Sequence, residues 1–229
     1  MSSIQGSIAK VFEDIEDYLE NQKALFGDEF YSDRNIDDLW KIPTRTREQL
    51  LKEFSQSIQN CQRCGLAESR RHVVFGNGNP NARIMLVGEA PGREEDIQGK
   101  VFVGAAGQLL TKILAAINLK RDDVYIGNII KCRPPQNRNP NQEEQDTCAE
   151  YLMKQIDIIQ PHYILALGRI AGQYLTGKSL SMRELRGNVF SFKGASLMVT
   201  YHPAALLRNP ELKRPTWEDV QKFQKLYEQ

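Results

Sequence analysis

No stretch of this 229-residue chain approaches the roughly 18 consecutive apolar residues that a membrane-spanning helix requires. No membrane partner is expected. The opening residues, MSSIQGSIAKVFEDIEDYLE, lack the basic start and apolar stretch of a secretory signal. That predicts a cytoplasmic protein. There is no internal repeat and no low-complexity tract. Histidine is scarce, at three residues, and cysteine nearly so, at four: Cys61, Cys64, Cys132 and Cys148. In a reducing cytoplasm four thiols point to metal more than to disulfides. What is present is ordinary for a soluble globular protein, with 41% hydrophobic and 26% charged residues. The length suits one large domain, or one domain plus an arm.

The formal net charge of +1 hides an asymmetry. Residues 1–40 carry ten Asp/Glu against three Lys/Arg, a net of −7. The remainder carries 27 Lys/Arg against 19 Asp/Glu, a net of +8. A basic body suits a polyanion such as DNA, although a solvated surface of mixed charge would look the same.

Ile8, Val11, Phe12, Ile15, Tyr18 and Leu19 recur at helical spacing with acids between them. They predict an amphipathic helix over 8–26, packed on the body or docking a protein partner. Residues 27–45 read as a linker, so 1–45 form an acidic helical arm and 46–229 the functional domain. That arm is expected to shield the basic face. The body then alternates. Strands are predicted at Ile84–Glu89, Val124–Ile130, Tyr163–Gly168 and Ser196–Tyr201. Helices are predicted at 46–60, Gln108–Asn118, Asn141–Gln160, 169–176 and Pro215–Tyr227, with Asn141 or Asn139 as an N-cap. The pattern predicts an α/β fold of three layers, αβα, around a mostly parallel four-stranded sheet. In such sheets ligands bind at the carboxyl ends of the strands. Those ends carry GEAPG, NIIKCRPP, LGR and HPAALLR.

Cys61-Gln-Arg-Cys64 is a CxxC pair; Cys132 follows after 67 residues and Cys148 after 15 more. A CxxC turn directs two thiolates to one point, and a second pair nearby would complete four-sulfur coordination. Spacing leaves zinc and iron–sulfur both open. Either would staple the start of the body to the loop after the second strand.

In the first strand-end motif, Gly88 and Gly92 allow close backbone approach around Glu89 and Ala90. The acids behind it, Glu94, Glu95 and Asp96, also read as a solvated helix start. Phe75 and Phe102 are candidates for a stacking platform, although most Phe residues are core. Asn128 can pair with a base edge or cap a loop. His202, at the end of the last strand, can donate to a developing negative charge or sit hydrogen-bonded in the core.

Taken in order, CQRC, GEAPGREED, GKVFVGAAGQLL, YIGNIIKCRPPQNRNP, LRG and YHPAALLRNP resemble the family 4 uracil-DNA glycosylases over residues 55–228. The resemblance implies a DNA N-glycosylase that frees uracil from DNA and leaves an abasic site. It implies a 4Fe–4S cluster on Cys61, Cys64, Cys132 and Cys148. The Gly88–Ala90 backbone would contact uracil, Phe102 would stack on it, and Asn128 would read its pairing edge. His202 would donate to the oxygen that gains charge. Leu206 would wedge into the duplex and Arg208 would contact phosphate. Better-known superfamily members place an Asp where Ala90 stands, so Glu89 or Glu95 is left to orient water, or Glu95 to block a thymine methyl. A covalently trapping relative carries a histidine insertion that PPQNRNPNQEE lacks, so simple turnover by a monomer is expected. A zinc-bearing nucleic-acid module and a redox carrier are the rival readings.

Overall fold

Four runs of Ile, Leu, Val, Met and Ala form the centre of the molecule because both their faces find apolar cover. In the computed structural model, which describes Lys10, Glu20 and residues 45–228, these runs are parallel strands. The expected helix over 8–26 and linker over 27–45 fall, apart from Lys10, Glu20 and Arg45, outside the described residues. The elements are α1 (Arg47–Ile58), β1 (Asn77–Gly78), β2 (Ile84–Gly88), α2 (Arg93–Gln98), α3 (Ala105–Ala115), β3 (Val124–Asn128) and α4 (Gln142–Ile159). There follow β4 (Tyr163–Leu167), α5 (Arg169–Thr176), α6 (Met182–Leu185), β5 (Val189–Phe192), β6 (Ala195–Thr200), α7 (Pro203–Arg208) and α8 (Lys213–Tyr227).

The sheet has six strands in the order β1-β3-β2-β4-β6-β5 and is mixed, not the four-stranded sheet expected. The four inner strands are parallel, and β1 and β5 add antiparallel edges. Both additions escape the sequence pattern for physical reasons. β1 is only two residues, Asn-Gly, and β5 is a half-exposed edge hairpin closed by Lys193 and Gly194. The charged segment Arg93–Gln98 is a helix in its own right, α2, and buries Asp96.

Alternate strand residues divide between two cores. Met85, Val87, Tyr125, Ile164, Ala166, Leu197 and Val199 join α1, α4, α5 and α6 on one face. Ile84, Leu86, Val124, Ile126, Leu165, Leu167 and Met198 join α3 and α8 on the other. Burying each such Ile or Leu contributes roughly 1.5–3 kcal/mol. Reciprocal caps fix helix starts. Thr46 and Gln49 close α1, and Asn141 and Glu144 close α4 through bonds of 2.7 and 2.8 Å. The carboxyl ends of β2, β3, β4 and β6 therefore face one side, on rigid supports.

Candidate active site

Gly88 ends β2, and the ladder with the next strand runs on past it. Ile129 N–H donates to Gly88 O at 3.0 Å and Ile130 N–H to Glu89 O at 2.9 Å. A Cβ on residue 88 would lie 2.4 Å from Asn128 Oδ1 and 2.9 Å from the Phe102 ring. Only glycine lets an amide and an aromatic approach the main chain this closely. Phe102 has φ 51°, unusual for a residue with a side chain. It is held there by the first turn of α3, where a Cβ on Gly107 would come within 1.9 Å of Phe102 O. The Phe102 and His202 rings lie face to face, centroids 5.5 Å apart and inclined by 29°. Between these groups opens a cavity of ≈ 290 Å³. Its walls include Glu89, Ala90, Glu95, Phe102, Asn128, His202 and Arg208, with Gly88 directly beneath Asn128 and Phe102.

The protonation of His202 follows from its bonds. It caps α7 by accepting the Ala204 N–H on Nδ1 at 3.1 Å. In the neutral ring the proton then sits on Nε2, which is left as a donor. Burial, reinforced by the Arg208 cation and opposed by Glu95, pushes the imidazole down to about 4. It is neutral at pH 7. Asn128 is buried, and its Oδ1 has no hydrogen-bond partner among the described residues. An orphaned acceptor of this kind costs about 1–3 kcal/mol until something supplies a donor.

The two glutamates differ. Burial holds the Glu89 carboxyl above the usual carboxylate range, against the pull of Arg169. Its side chain makes no hydrogen bond among the described residues. Glu95 Oε1 instead accepts Val103 N–H and Gly104 N–H, both at 2.8 Å, and so pins the segment that carries Phe102.

The corner that carries His202 is braced from behind. Arg186 Nε donates to Asp219 Oδ2 at 2.6 Å, and Thr200, the last residue of β6, donates to the same oxygen at 2.7 Å. The Arg186 guanidinium lies 4.7 Å over the Tyr201 ring. A fixed main chain at 200–201 is what lets the imidazole keep one direction.

Two expected residues sit elsewhere. Leu206 is 2% exposed and packs toward Leu109, Ile113 and Trp217, whereas its neighbour Leu207 is 50% exposed. The helix that begins at Pro203 sets this phase, turning Leu206 inward. Phe75 packs edge-on against Phe54, centroids 5.4 Å apart, inside the core. Residues that sequence reasoning passed over also line the cavity: Pro134, Asn137, Arg138 and Asn139, from the loop after β3. Gln136 and Asn137 there both have left-handed backbones, at φ 55° and 54°. The Asn137 side chain accepts from Arg133 Nε at 2.8 Å. The strand-end rule aimed the start of this loop, NIIKCRPP, at the site, but nothing in the pattern showed how far along it the lining would run.

The four cysteines surround a second, separate cavity, lined also by Ile58, Arg70, Val73 and Tyr151. Cys61 Sγ shares a hydrogen bond of 3.0 Å with Tyr151 Oη, Arg70 donates to Cys132 Sγ at 3.5 Å, and Lys131 N–H donates to Cys148 Sγ at 3.2 Å. Burial pushes the Cys132 thiol up to about 12 and raises Cys148 as well. At Cys132 and Cys148 burial favours the thiol, while the hydrogen bond each sulfur receives favours the thiolate. Among the described residues no three His, Cys, Asp or Glu side chains stand close enough to hold a single ion.

Residues 75–223 match the model of the uracil DNA glycosylase superfamily. The chain is 46% identical over 181 residues to a type-4 uracil-DNA glycosylase of Thermotoga maritima, covering 77% of this chain and 94% of that protein. It is 41% identical over 184 residues to one from Archaeoglobus fulgidus, covering 77% and 92%. A type-5 uracil-DNA glycosylase of Pyrobaculum aerophilum is more distant, 30% identical over 188 residues, covering 67% and 82%. This chain belongs to the type-4 branch of the uracil-DNA glycosylase superfamily.

Proposed function

We propose that the cavity receives a uracil flipped out of DNA and that the chain hydrolyses its N-glycosidic bond, leaving an abasic site. The observation that carries this is the unpartnered Asn128 Oδ1 on the cavity wall. Uracil presents an N3–H to fill it and an O4 to accept from the amide NH₂. Cytosine presents a bare N3 and an amino group, so the same amide rejects it. The flat Phe102 ring supports stacking, and Ala90 leaves room above the glycine turn.

Extrusion of the nucleotide costs a few kcal/mol. An apolar wedge and phosphate contacts offset it. Arg208, exposed on the cavity rim, suits a phosphate. Leu207, on the exposed side of α7, suits the wedge in place of Leu206. As the C1′–N1 bond breaks, its electron pair moves onto the base and the sugar becomes oxocarbenium-like. The neutral His202 Nε2–H donates to the uracil O2 that gains this charge. A well-placed donor of this type is worth about 2.7–4 kcal/mol, or 10²–10³ in rate. Water then adds its oxygen to C1′ and releases a proton. Glu89, a partly desolvated carboxyl with no other partner, is suited to orient that water and take the proton. Glu95 is occupied with the loop of Phe102 and acts as its support.

The four cysteines fit a 4Fe–4S cluster, because they line one cavity and three of their four sulfurs already meet a polar group there. When bound, such a cluster supplies a cross-link joining the CxxC turn, the residue after Lys131 and helix α4. The residues Arg45–Gln229 form one compact unit and serve as the catalytic domain. No histidine stands in 134–144, which supports simple turnover without a trapped covalent complex. The test is an oligonucleotide carrying one uracil, incubated with the protein and then treated with alkali. Strand cleavage at the uracil, abolished by Asn128→Ala, is expected. Undiminished cleavage by Asn128→Ala would remove the base-reading assignment.

A further inference from the structure

We propose that Lys131 is a positioning residue, a buried strut that ties the base-reading Asn128 to the cysteine-bearing helix α4 and so makes the uracil cavity and the cysteine cavity one mechanical unit. The inference rests on Asn128 reading the base. Lys131 is 1% exposed, and no step of the reaction uses it. Its side chain folds back along the segment it belongs to. Nζ donates to Asn128 O at 2.8 Å and to Gln155 Oε1. Gln155 is itself fully buried on α4, two turns beyond Cys148, and its amide donates to Phe75 O at 2.9 Å and Tyr125 Oη at 3.0 Å. The main chain of the same lysine donates to Cys148 Sγ and accepts Val74 N–H at 2.8 Å. One residue thus grips α4 twice and the exit of β3 once.

The physical reason for an ammonium here is directional. Asn128 must leave its side-chain oxygen unpartnered to meet the base. Its position therefore rests on the main chain, and its carbonyl is the group Lys131 fixes. A buried cation with two buried acceptors fixes both strongly. An apolar side chain of the same length would fill the space and leave the Asn128 carbonyl unguided. Displacement by a fraction of an ångström matters at a site that works by orientation.

The test uses the full-length, cluster-loaded protein as wild type, Lys131→Met, Lys131→Arg and Asn128→Ala. Three quantities are read: inhibition by free uracil, single-turnover excision, and visible absorbance per chain. Lys131→Met is expected to keep the absorbance, because the bond to Cys148 comes from the main chain. It should weaken uracil inhibition and slow excision by about tenfold or more. Wild-type absorbance with a uracil inhibition constant within about twofold of normal overturns the proposal. Should Lys131→Met fail to hold the cluster, Lys131→Arg carries the same test, since its broad head cannot occupy the place of Nζ between two acceptors. Loss of absorbance in both variants would assign Lys131 to the cysteines alone and also overturn the proposal. If Asn128→Ala leaves uracil inhibition untouched, the base-reading assignment fails first and the strut falls with it.

Discussion

One segment serves two cavities in this protein, Asn128 lining one and Lys131 and Cys132 the other, yet the polar groups of the two are arranged in opposite ways. Around the cysteines, three of the four sulfurs already have a polar partner: a tyrosine hydroxyl, a guanidinium and a main-chain N–H. Around the uracil cavity an acceptor stands unpartnered, a carboxyl is held above its usual range and an imidazole well below it. Satisfied groups make a staple. Unsatisfied groups make a site, because each unmet bond is free energy reserved for the ligand.

The contrast can be broken most forcefully at His202. His202→Ala is expected to lower single-turnover excision by about 10²–10³, with DNA binding nearly unchanged. An undiminished rate, followed on a uracil-containing duplex, would take the imidazole out of the mechanism. Next comes the staple. Cys148→Ser should bleach the visible absorbance and lower the melting temperature. Full absorbance in this variant would sever the cysteines from any cluster. A third effect sharpens the pH behaviour. The folded His202 titrates at about 4, below its ordinary 6.5. Between those values the unfolded chain binds the proton and the folded one does not. His202 therefore contributes a term that makes stability fall as pH drops from about 6.5 toward 4 and that is constant above. Thermal melts across this range should show His202→Asn with the shallower slope; equal slopes would contradict the desolvated neutral ring. The smallest effect separates adjacent leucines. Leu207→Ala should weaken excision from duplex DNA several-fold more than from single strands and leave stability near wild type. Leu206→Ala should instead cost about 2–5 kcal/mol of stability. The reverse pattern in denaturation and excision would return the wedge to Leu206.

Much of this was legible before the fold was known, and the exceptions share a cause. The inner strands announce themselves because burial on both faces demands unbroken apolar runs, as in Ile84–Val87 and Ile164–Leu167. The edge strands do not, because Asn77–Gly78 and Val189–Phe192 are partly solvated and their residues are chosen for turns and half-exposure. Charge hid α2, whose REEDIQ sequence buries only Asp96. At the site, the motifs at strand ends were readable because topology alone brings strand ends together. The course of the loop that brings in Asn137 and Asn139 was not, since it depends on two left-handed residues and an Arg133–Asn137 bond. That Leu206 faces inward and Leu207 outward was not legible by counting positions from His202, because only the turn at Pro203 sets the phase of α7. Lysine 131 gave no signal, because a lysine is ordinarily a surface residue and only its neighbours reveal it as interior.

The seat of Phe102 has a consequence of its own. Its ring is kept in place by main chain: a glycine below at 88, another at 107 pressed against its carbonyl, and Glu95 gripping the peptides just after it. A platform built this way does not wait for the base in order to form. The ordering of the aromatic surface is completed when the chain folds, and each encounter with DNA meets a flat face already set at its working angle.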